Sequence, residues 1–256
     1  LSIHAENILP IIKKWLYSDH EIFLRELVSN GVDAVSKLKH VALTEGLGEL
    51  GEFRIDVDVD KDAKTITVRD NGIGMSAEEV RKYINQVAFS GAKDFVERYQ
   101  VEGEGSGIIG HFGLGFYSAF MVADKVEIRT KSYKADAEAC HWSCEGGLAF
   151  TLEPDGRTDR GTEIVLHVAA DAAEFLEEIR LQTVLNKYCK YLPVPIHLNG
   201  SLINDQPPIW SKSPSSLTDQ DYLDFFHQAY PYEDDPLFWI HLNVDYPFTL
   251  QGVLYF

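Results

Sequence analysis

Cysteine, methionine and tryptophan are scarce in this 256-residue chain, which holds three, two and four of them respectively. The three cysteines, Cys140, Cys144 and Cys189, supply neither a four-thiolate zinc site nor a disulfide framework. They read as reduced, buried thiols of a cytosolic protein. Basic residues are also few: 23 Lys and Arg against 40 Asp and Glu leave a net charge of −17. That balance argues against nucleic acid as a main partner, because neutralising phosphates needs a basic patch. No run of about 18 apolar residues occurs, so no helical membrane span is expected. No signal-peptide pattern precedes the first expected helix, and with Leu1 in place of a methionine a trimmed N-terminus is expected. A Gly-Lys-Ser/Thr sequence is missing too, which removes the P-loop class of nucleotide site.

What is present begins with a helix over Phe23–Leu38. At roughly 100° per residue, Glu26, Asn30, Asp33 and Lys37 fall in one narrow sector. Phe23, Leu24, Leu27, Val28, Ala34, Val35 and Leu38 fill the adjoining sector and should face a core. Arg25, Ser29, Ser36 and Lys39 lie on the water side. The polar stripe therefore borders the buried face, where a carboxylate and a carboxamide one turn apart are placed to line a pocket and hold a water or a cation. Taken alone, the same stripe is described more readily as the solvated flank of an ordinary amphipathic helix.

Around that helix the pattern mixes helices and strands without regular βαβ alternation. An earlier helix is expected over Ala5–Leu16. Phe53–Val59 and Thr65–Val68 alternate with period two around the turn Asp60-Lys61-Asp62-Ala63, which makes a hairpin. A polar helix over Ala77–Val87 follows, and then a glycine-rich stretch, Ser90–Gly110. Strands are expected at Lys125–Lys131, Ala139–Ser143, Ala149–Leu152, Thr162–Val168 and Val194–Leu198, with a helix over Ala172–Tyr191. This order favours an α+β sandwich of two layers, one mostly antiparallel sheet covered by helices on one face. Pro207-Pro208 and Ser213-Pro214-Ser215-Ser216 read as an inter-domain connection. A helical start at Leu217–Tyr222 leads to strand-like runs at Phe238–Leu242 and Thr249–Phe256, the expected beginning of a second domain that continues past this sequence.

Three further segments carry candidate chemistry. Asp70-Asn71-Gly72-Ile73-Gly74-Met75 ends the hairpin's second strand: an aspartate there can accept from a ligand amine, and glycines beside it let a flat ring approach the backbone. Gly110-His111-Phe112-Gly113-Leu114-Gly115-Phe116 feeds an apolar helix, Tyr117–Val122, and offers backbone N–H groups to phosphate oxygens. Gly105-x-Gly107-x-x-Gly110 fits a dinucleotide fingerprint only as a bare pattern, since no strand precedes it. Arg160-Gly161-Thr162 puts a hydroxyl at a strand entry.

In this order, Phe23-Leu24-Arg25-Glu26-Leu27-Val28-Ser29-Asn30-Gly31-Val32-Asp33-Ala34, the Asp70–Met75 segment, Gly110–Ser118 and Arg160-Gly161-Thr162 resemble the N-terminal ATPase domain of the ninety-kilodalton heat-shock chaperones, the bacterial form above all. The resemblance implies the Bergerat ATP-binding sandwich over residues 1–205 with a lid at about 90–110, a linker at 206–220, and the start of a middle domain at 221–256. It implies ATP or ADP with Mg²⁺ as ligands. Glu26 would be the general base, Asn30 the Mg²⁺ ligand, and Asp33 a rim residue. Asp70 would accept from the adenine amino group, with Thr162 helping through a water. Gly74 and Met75 would line the adenine pocket, while His111, Phe112, Gly113, Leu114, Gly115 and Phe116 would wrap the phosphates. It further implies a cytoplasmic homodimer acting on client proteins, with weak turnover by this stretch alone, because the family also uses an arginine of the middle domain. Tyr83 and Phe89 stand where the family commonly has asparagine and lysine, leaving Asn85 or Lys93 to substitute, and His111 replaces a usual glutamine. The alternatives are another Bergerat ATPase of topoisomerase or histidine-kinase type, a nicotinamide-dependent oxidoreductase, and an inert binding module.

Overall fold

A computed structural model describes residues 19–84, 115–147, 149–244 and 250–256. These fall into two compact units, one up to Asp205 and one from Gln206. The expected first helix, Ala5–Leu16, and the glycine-rich stretch at 90–110 lie outside the described residues.

The first unit is built on an eight-stranded sheet. Its strands are β1 (Ile55–Asp60), β2 (Thr65–Asp70), β3 (Ala123–Lys131), β4 (Cys140–Cys144), β5 (Phe150–Pro154), β6 (Gly161–Val168), β7 (Ile196–Leu198) and β8 (Ser201–Leu202). The spatial order is β5-β4-β3-β6-β2-β1-β7-β8. Every neighbouring pair is antiparallel except β1 and β7, which run parallel. The α+β class with a mostly antiparallel sheet is thus as expected.

Helix α1 (Ile22–Glu45) covers one face of this sheet. Phe23, Leu24, Leu27, Val28, Val35 and Leu38 of the expected apolar sector are fully or almost fully buried, joined by Val32 and Val41, while Ala34 is half-buried. Each such side chain contributes about 1.5–3 kcal/mol relative to exposure. Gly46, in the left-handed conformation, ends the helix. The sheet face beneath it has a second, sharper pattern. One cross-strand row, Val57–Val68–Ile164–Ile128–Trp142–Leu152, is wholly apolar. The next row on the same face reads Ile55–Asp70–Thr162–Thr130–Cys140, with three polar residues side by side on β2, β6 and β3. All three are buried. On the opposite face the corresponding row alternates charge, Asp56–Arg69–Glu163–Arg129–His141, as suits a solvated surface.

Helix α2 (Ala77–Tyr83) is capped by Ser76 and Glu79 in a reciprocal capping box. The apolar segment expected as a helix over Tyr117–Val122 forms a 3₁₀ helix, Gly115–Met121, whose Phe116 and Phe120 rings meet edge to face and whose Phe116 ring also meets Trp142. The helix expected over Ala172–Tyr191 is two pieces. A 3₁₀ helix spans Ala170–Leu176 and α3 spans Glu178–Tyr188, separated at Glu177 by extended backbone. The break lets Phe175 turn onto Phe23, ring centroids 5.1 Å apart, while Leu181, Val184 and Leu185 enter the core from α3.

The second unit is smaller. Residues 206–220, expected as a connection, carry 3₁₀ turns at Ile209–Ser211 and Pro214–Ser216 and the first residues of α4 (Asp219–Ala229). Thr218 and Asp221 cap α4 reciprocally. Tyr222 and Phe226 pack on the hairpin of β9 (Trp239–Val244) and β10 (Leu250–Tyr255), with Tyr222 stacked on Trp239 at 5.3 Å. Among the described residues, no helix is long and apolar enough to cross a membrane. All three cysteines are free and buried.

Candidate functional site

The polar row and the striped helix meet at Asp70. Gly31 of α1 lies directly over it: a Cβ on Gly31 would stand 3.1 Å from Ile55 and 3.4 Å from Asp70 Cβ. Past β2, the Ile73 N–H donates to the Ala34 carbonyl of α1 at 3.0 Å. A side chain on Gly72 would strike the Ala34 and Val35 backbone. Gly74 has φ +62°, and a Cβ there would collide with the Lys131 carbonyl. Both glycines of the motif are therefore required by close backbone approach.

Asp70 is only 9% exposed. Its Oδ1 accepts from the Gly72 N–H at 2.8 Å. Burial pushes its pKa up to about 7, against the opposing pull of the Gly72 N–H, the Arg157 charge and the Thr162 backbone N–H. Such a carboxyl, ionised only above neutrality in the free protein, is suited to a ligand that brings a further N–H group. Thr162 sits beside it on β6, also buried. The Met75 N–H donates to Thr130 Oγ1 at 2.9 Å, tying the glycine loop to β3.

Along α1 the stripe changes character. Asp33 is 4% exposed, whereas Asn30 and Glu26 are half-buried. Burial holds the Lys37 ammonium below its ordinary pKa, opposed by the charges of Asp33 and Glu79. The Asn30 carboxamide makes no side-chain hydrogen bond recorded among the described residues. Glu26 Oε1 accepts from Arg25 Nε at 3.2 Å and from its terminal nitrogen at 2.5 Å. Glu26 Oε2 lies against Gly115, where any Cβ would displace it. Gly115 thus meets the carboxylate of α1. Glu26 and Gly31, five residues apart, are separated by about 7.5 Å along the helix axis, so Glu26 and Asp70 mark two ends of one stretch.

The structure accordingly brings Glu26 to Gly115, and Asp70 to Thr162 with Gly74 and Met75 nearby. Phe116 directs its ring into the core. His111, Phe112, Gly113 and Leu114 lie outside the described residues, as do Asn85, Phe89 and Lys93. Tyr83 is half-buried at the end of α2, with Lys82 Nζ 5.3 Å from its ring centroid. Sequence reasoning missed Thr130, whose only signal was a hydroxyl at a core-facing position of β3. It also missed the grip of Arg25 on Glu26.

A buried carboxylate under a glycine-padded loop, on a mixed sheet roofed by a striped helix, defines a class of nucleotide-binding fold rather than one protein. The family model described as "Histidine kinase-, DNA gyrase B-, and HSP90-like ATPase" matches residues 17–146, just over half of the chain, and the chain belongs to this family. Within that class the similarity is narrower: a second model, described as "Hsp90 protein", matches residues 198–256. Over all of its length the chain is 56% identical to Chaperone protein htpG of Bacteroides fragilis (strain 638R) and 51% identical to Chaperone protein HtpG of Porphyromonas gingivalis (strain ATCC BAA-308 / W83). Over 98% of its length it is 37% identical to Heat shock protein 75 kDa, mitochondrial, of Bos taurus. It spans 39%, 40% and 36% of those relatives.

Proposed function

We propose that this chain is the nucleotide-binding part of an ATP-dependent chaperone, in which slow ATP hydrolysis drives a clamp cycle of a cytoplasmic homodimer on client proteins. Residues 1–205 are the ATP-binding domain with a lid at about 90–110, 206–220 the linker, and 221–256 the start of the middle domain. The observation that carries this reading is the buried Asp70 carboxylate, closed in by Gly31 and Gly72 and flanked by Thr162.

Asp70 accepts from the adenine amino group, and the closely packed Gly74–Met75 backbone admits the flat ring. Thr162 assists through a water, and Asp33 edges the pocket. The turn from His111 to Phe116 supplies backbone N–H groups to the phosphates. Mg²⁺ fits the donor set: the Asn30 carboxamide oxygen, which has no hydrogen bond among the described residues, completed by phosphates and waters, is the sparse protein ligation this ion favours. Bound there, it would neutralise charge on the phosphates. Glu26 orients the attacking water and takes its proton through Oε2, since Arg25 occupies Oε1. Turnover by these residues alone is weak.

Calorimetric titration of Mg·ADP into the chain and into Asp70→Asn tests the reading. Asn offers one acceptor and a misplaced donor, so affinity should drop about ten- to a hundred-fold, equivalent to about 1.5–3 kcal/mol. A parent that does not bind, or a variant that binds as well as the parent, would overturn it.

A further inference from the structure

Thr130 lies at the centre of the polar row, between the glycine loop and β6. It is fully buried, at 0% exposed. Three groups surround its single hydroxyl: the Met75 N–H, donating at 2.9 Å; the Gly161 carbonyl, accepting at 3.1 Å; and Thr162 Oγ1 at 3.0 Å. A threonine hydroxyl has one proton and two lone pairs. With the proton given to Gly161 and one lone pair taken by Met75, only a lone pair remains for Thr162. On that assignment Thr162 is the donor in the pair, a role that by position alone either hydroxyl could take. Its proton is consumed inside the sheet, and its oxygen is left with lone pairs alone beside the Asp70 carboxylate.

We propose that Thr130 is a positioning residue that sets base specificity: by taking the Thr162 proton it makes Asp70 and Thr162 a two-acceptor edge, which selects a purine bearing an exocyclic amine. The inference rests on Asp70 being the purine-binding carboxylate. Adenine satisfies such an edge, its amino group donating to Asp70 and one water donating both to Thr162 and to the neighbouring ring nitrogen. Above pH 7, where Asp70 is ionised, hypoxanthine, with an oxygen in place of the amine, sets acceptor against carboxylate. Sites built on committed hydrogen-bond partners discriminate strongly, because the wrong ligand leaves buried polar groups unpaired. Without the Thr130 hydroxyl, the Thr162 proton is free to satisfy Asp70 or an incoming oxygen, and the discrimination weakens.

The test is calorimetric titration of Mg·ADP and Mg·IDP into the parent, Thr130→Val, Thr130→Ser, Thr162→Val and the double valine variant, with circular dichroism to verify folding. Thr130→Val should narrow the ADP-to-IDP preference about tenfold, and Thr130→Ser should restore it. Thr162→Val removes the very proton that would rescue Mg·IDP, so in that background Thr130→Val should change the preference no further. Should Thr130→Val not fold, Thr130→Ala carries the same expectation. A folded variant that weakens both nucleotides equally, or additive effects in the double variant, would overturn the proposal and leave Thr130 merely structural. A parent that fails to bind Mg·ADP sinks instead the nucleotide-binding reading beneath it.

Discussion

The two ends of α1's polar stripe are built on opposite principles. At the Asp70 end, the polar groups are buried and hydrogen-bonded, and a Cβ on Gly31, Gly72 or Gly74 would press on a neighbouring strand, helix or loop. At the Glu26 end, the carboxylate is 23% exposed and its partner Arg25 is 38% exposed. A recognition site gains from rigidity, since groups fixed before binding lose no freedom on it. A catalytic carboxylate must release one partner and take another during turnover, which a half-exposed ion pair allows cheaply. The contrast therefore predicts that substitutions at the Glu26 end change rate, and that those at the Asp70 end change affinity and stability.

Glu26→Ala pulls the two ends apart most strongly. If Glu26 is the base, ATP turnover falls roughly a thousandfold, within the range typical of a lost general base. Mg·ADP affinity should stay within about twofold. Measuring both on the same preparation checks the claim, and a parallel loss of affinity would erase the distinction between the ends.

Asp70→Asn acts on the free protein in the reverse sense from its effect on binding. The pKa of Asp70 rises from 3.8 to about 7 on folding, chiefly through burial. The folded state thus binds this proton more tightly than the unfolded chain does, and stability from the group, complete below pH 3.8, is lost as pH rises through 7. Above pH 7 the ionised, buried carboxylate costs about 4 kcal/mol. Asparagine carries no such penalty, so the variant should be more stable than the parent by about that amount at pH 8 and by less than about 2 kcal/mol at pH 5. Urea unfolding at the two pH values reads this directly. Equal stability at both would mean that Asp70 is not desolvated in solution.

Periodicity exposes some of this and hides the rest for identifiable reasons. The stripe and the apolar sector of α1 were readable because a helix repeats its faces over many residues, and the β1–β2 hairpin because alternation and a turn agreed. Asp70 with Gly72 and Gly74 stood out as a dense local motif. Thr130 did not, because threonine is an ordinary strand residue. Its importance comes from Met75, Gly161 and Thr162, which join it only through loop and ladder contacts 55, 31 and 32 residues distant. The break at Glu177 was likewise silent: Ala172–Tyr191 looks helical throughout, and the core position of Phe175 against Phe23 overrides that propensity. The parallel pairing of β7 with β1 depends on where α3 delivers the chain, which no local pattern records.

Arg25 gives the finest test of the comparison. Its guanidinium holds Glu26 Oε1 and lies 5.8 Å from the Tyr188 ring centroid, so it spans from the Glu26 carboxylate to the end of α3. Both members of the ion pair are partly exposed, and a pair near the surface contributes about 0–1 kcal/mol. The cation–π contact at an exposed site contributes about 0.5–1 kcal/mol. Arg25→Ala should therefore move unfolding stability by no more than about 1–2 kcal/mol and leave Mg·ADP affinity within about twofold. Turnover should nevertheless fall roughly tenfold, because a carboxylate no longer held at Oε1 samples orientations in which Oε2 cannot reach the attacking water, and small misplacements are expensive in rate. A loss of turnover no larger than the loss of stability would show that Arg25 merely decorates the surface of α1. A selective loss would establish that the loosely built end of the stripe still depends on one exposed cation for its geometry.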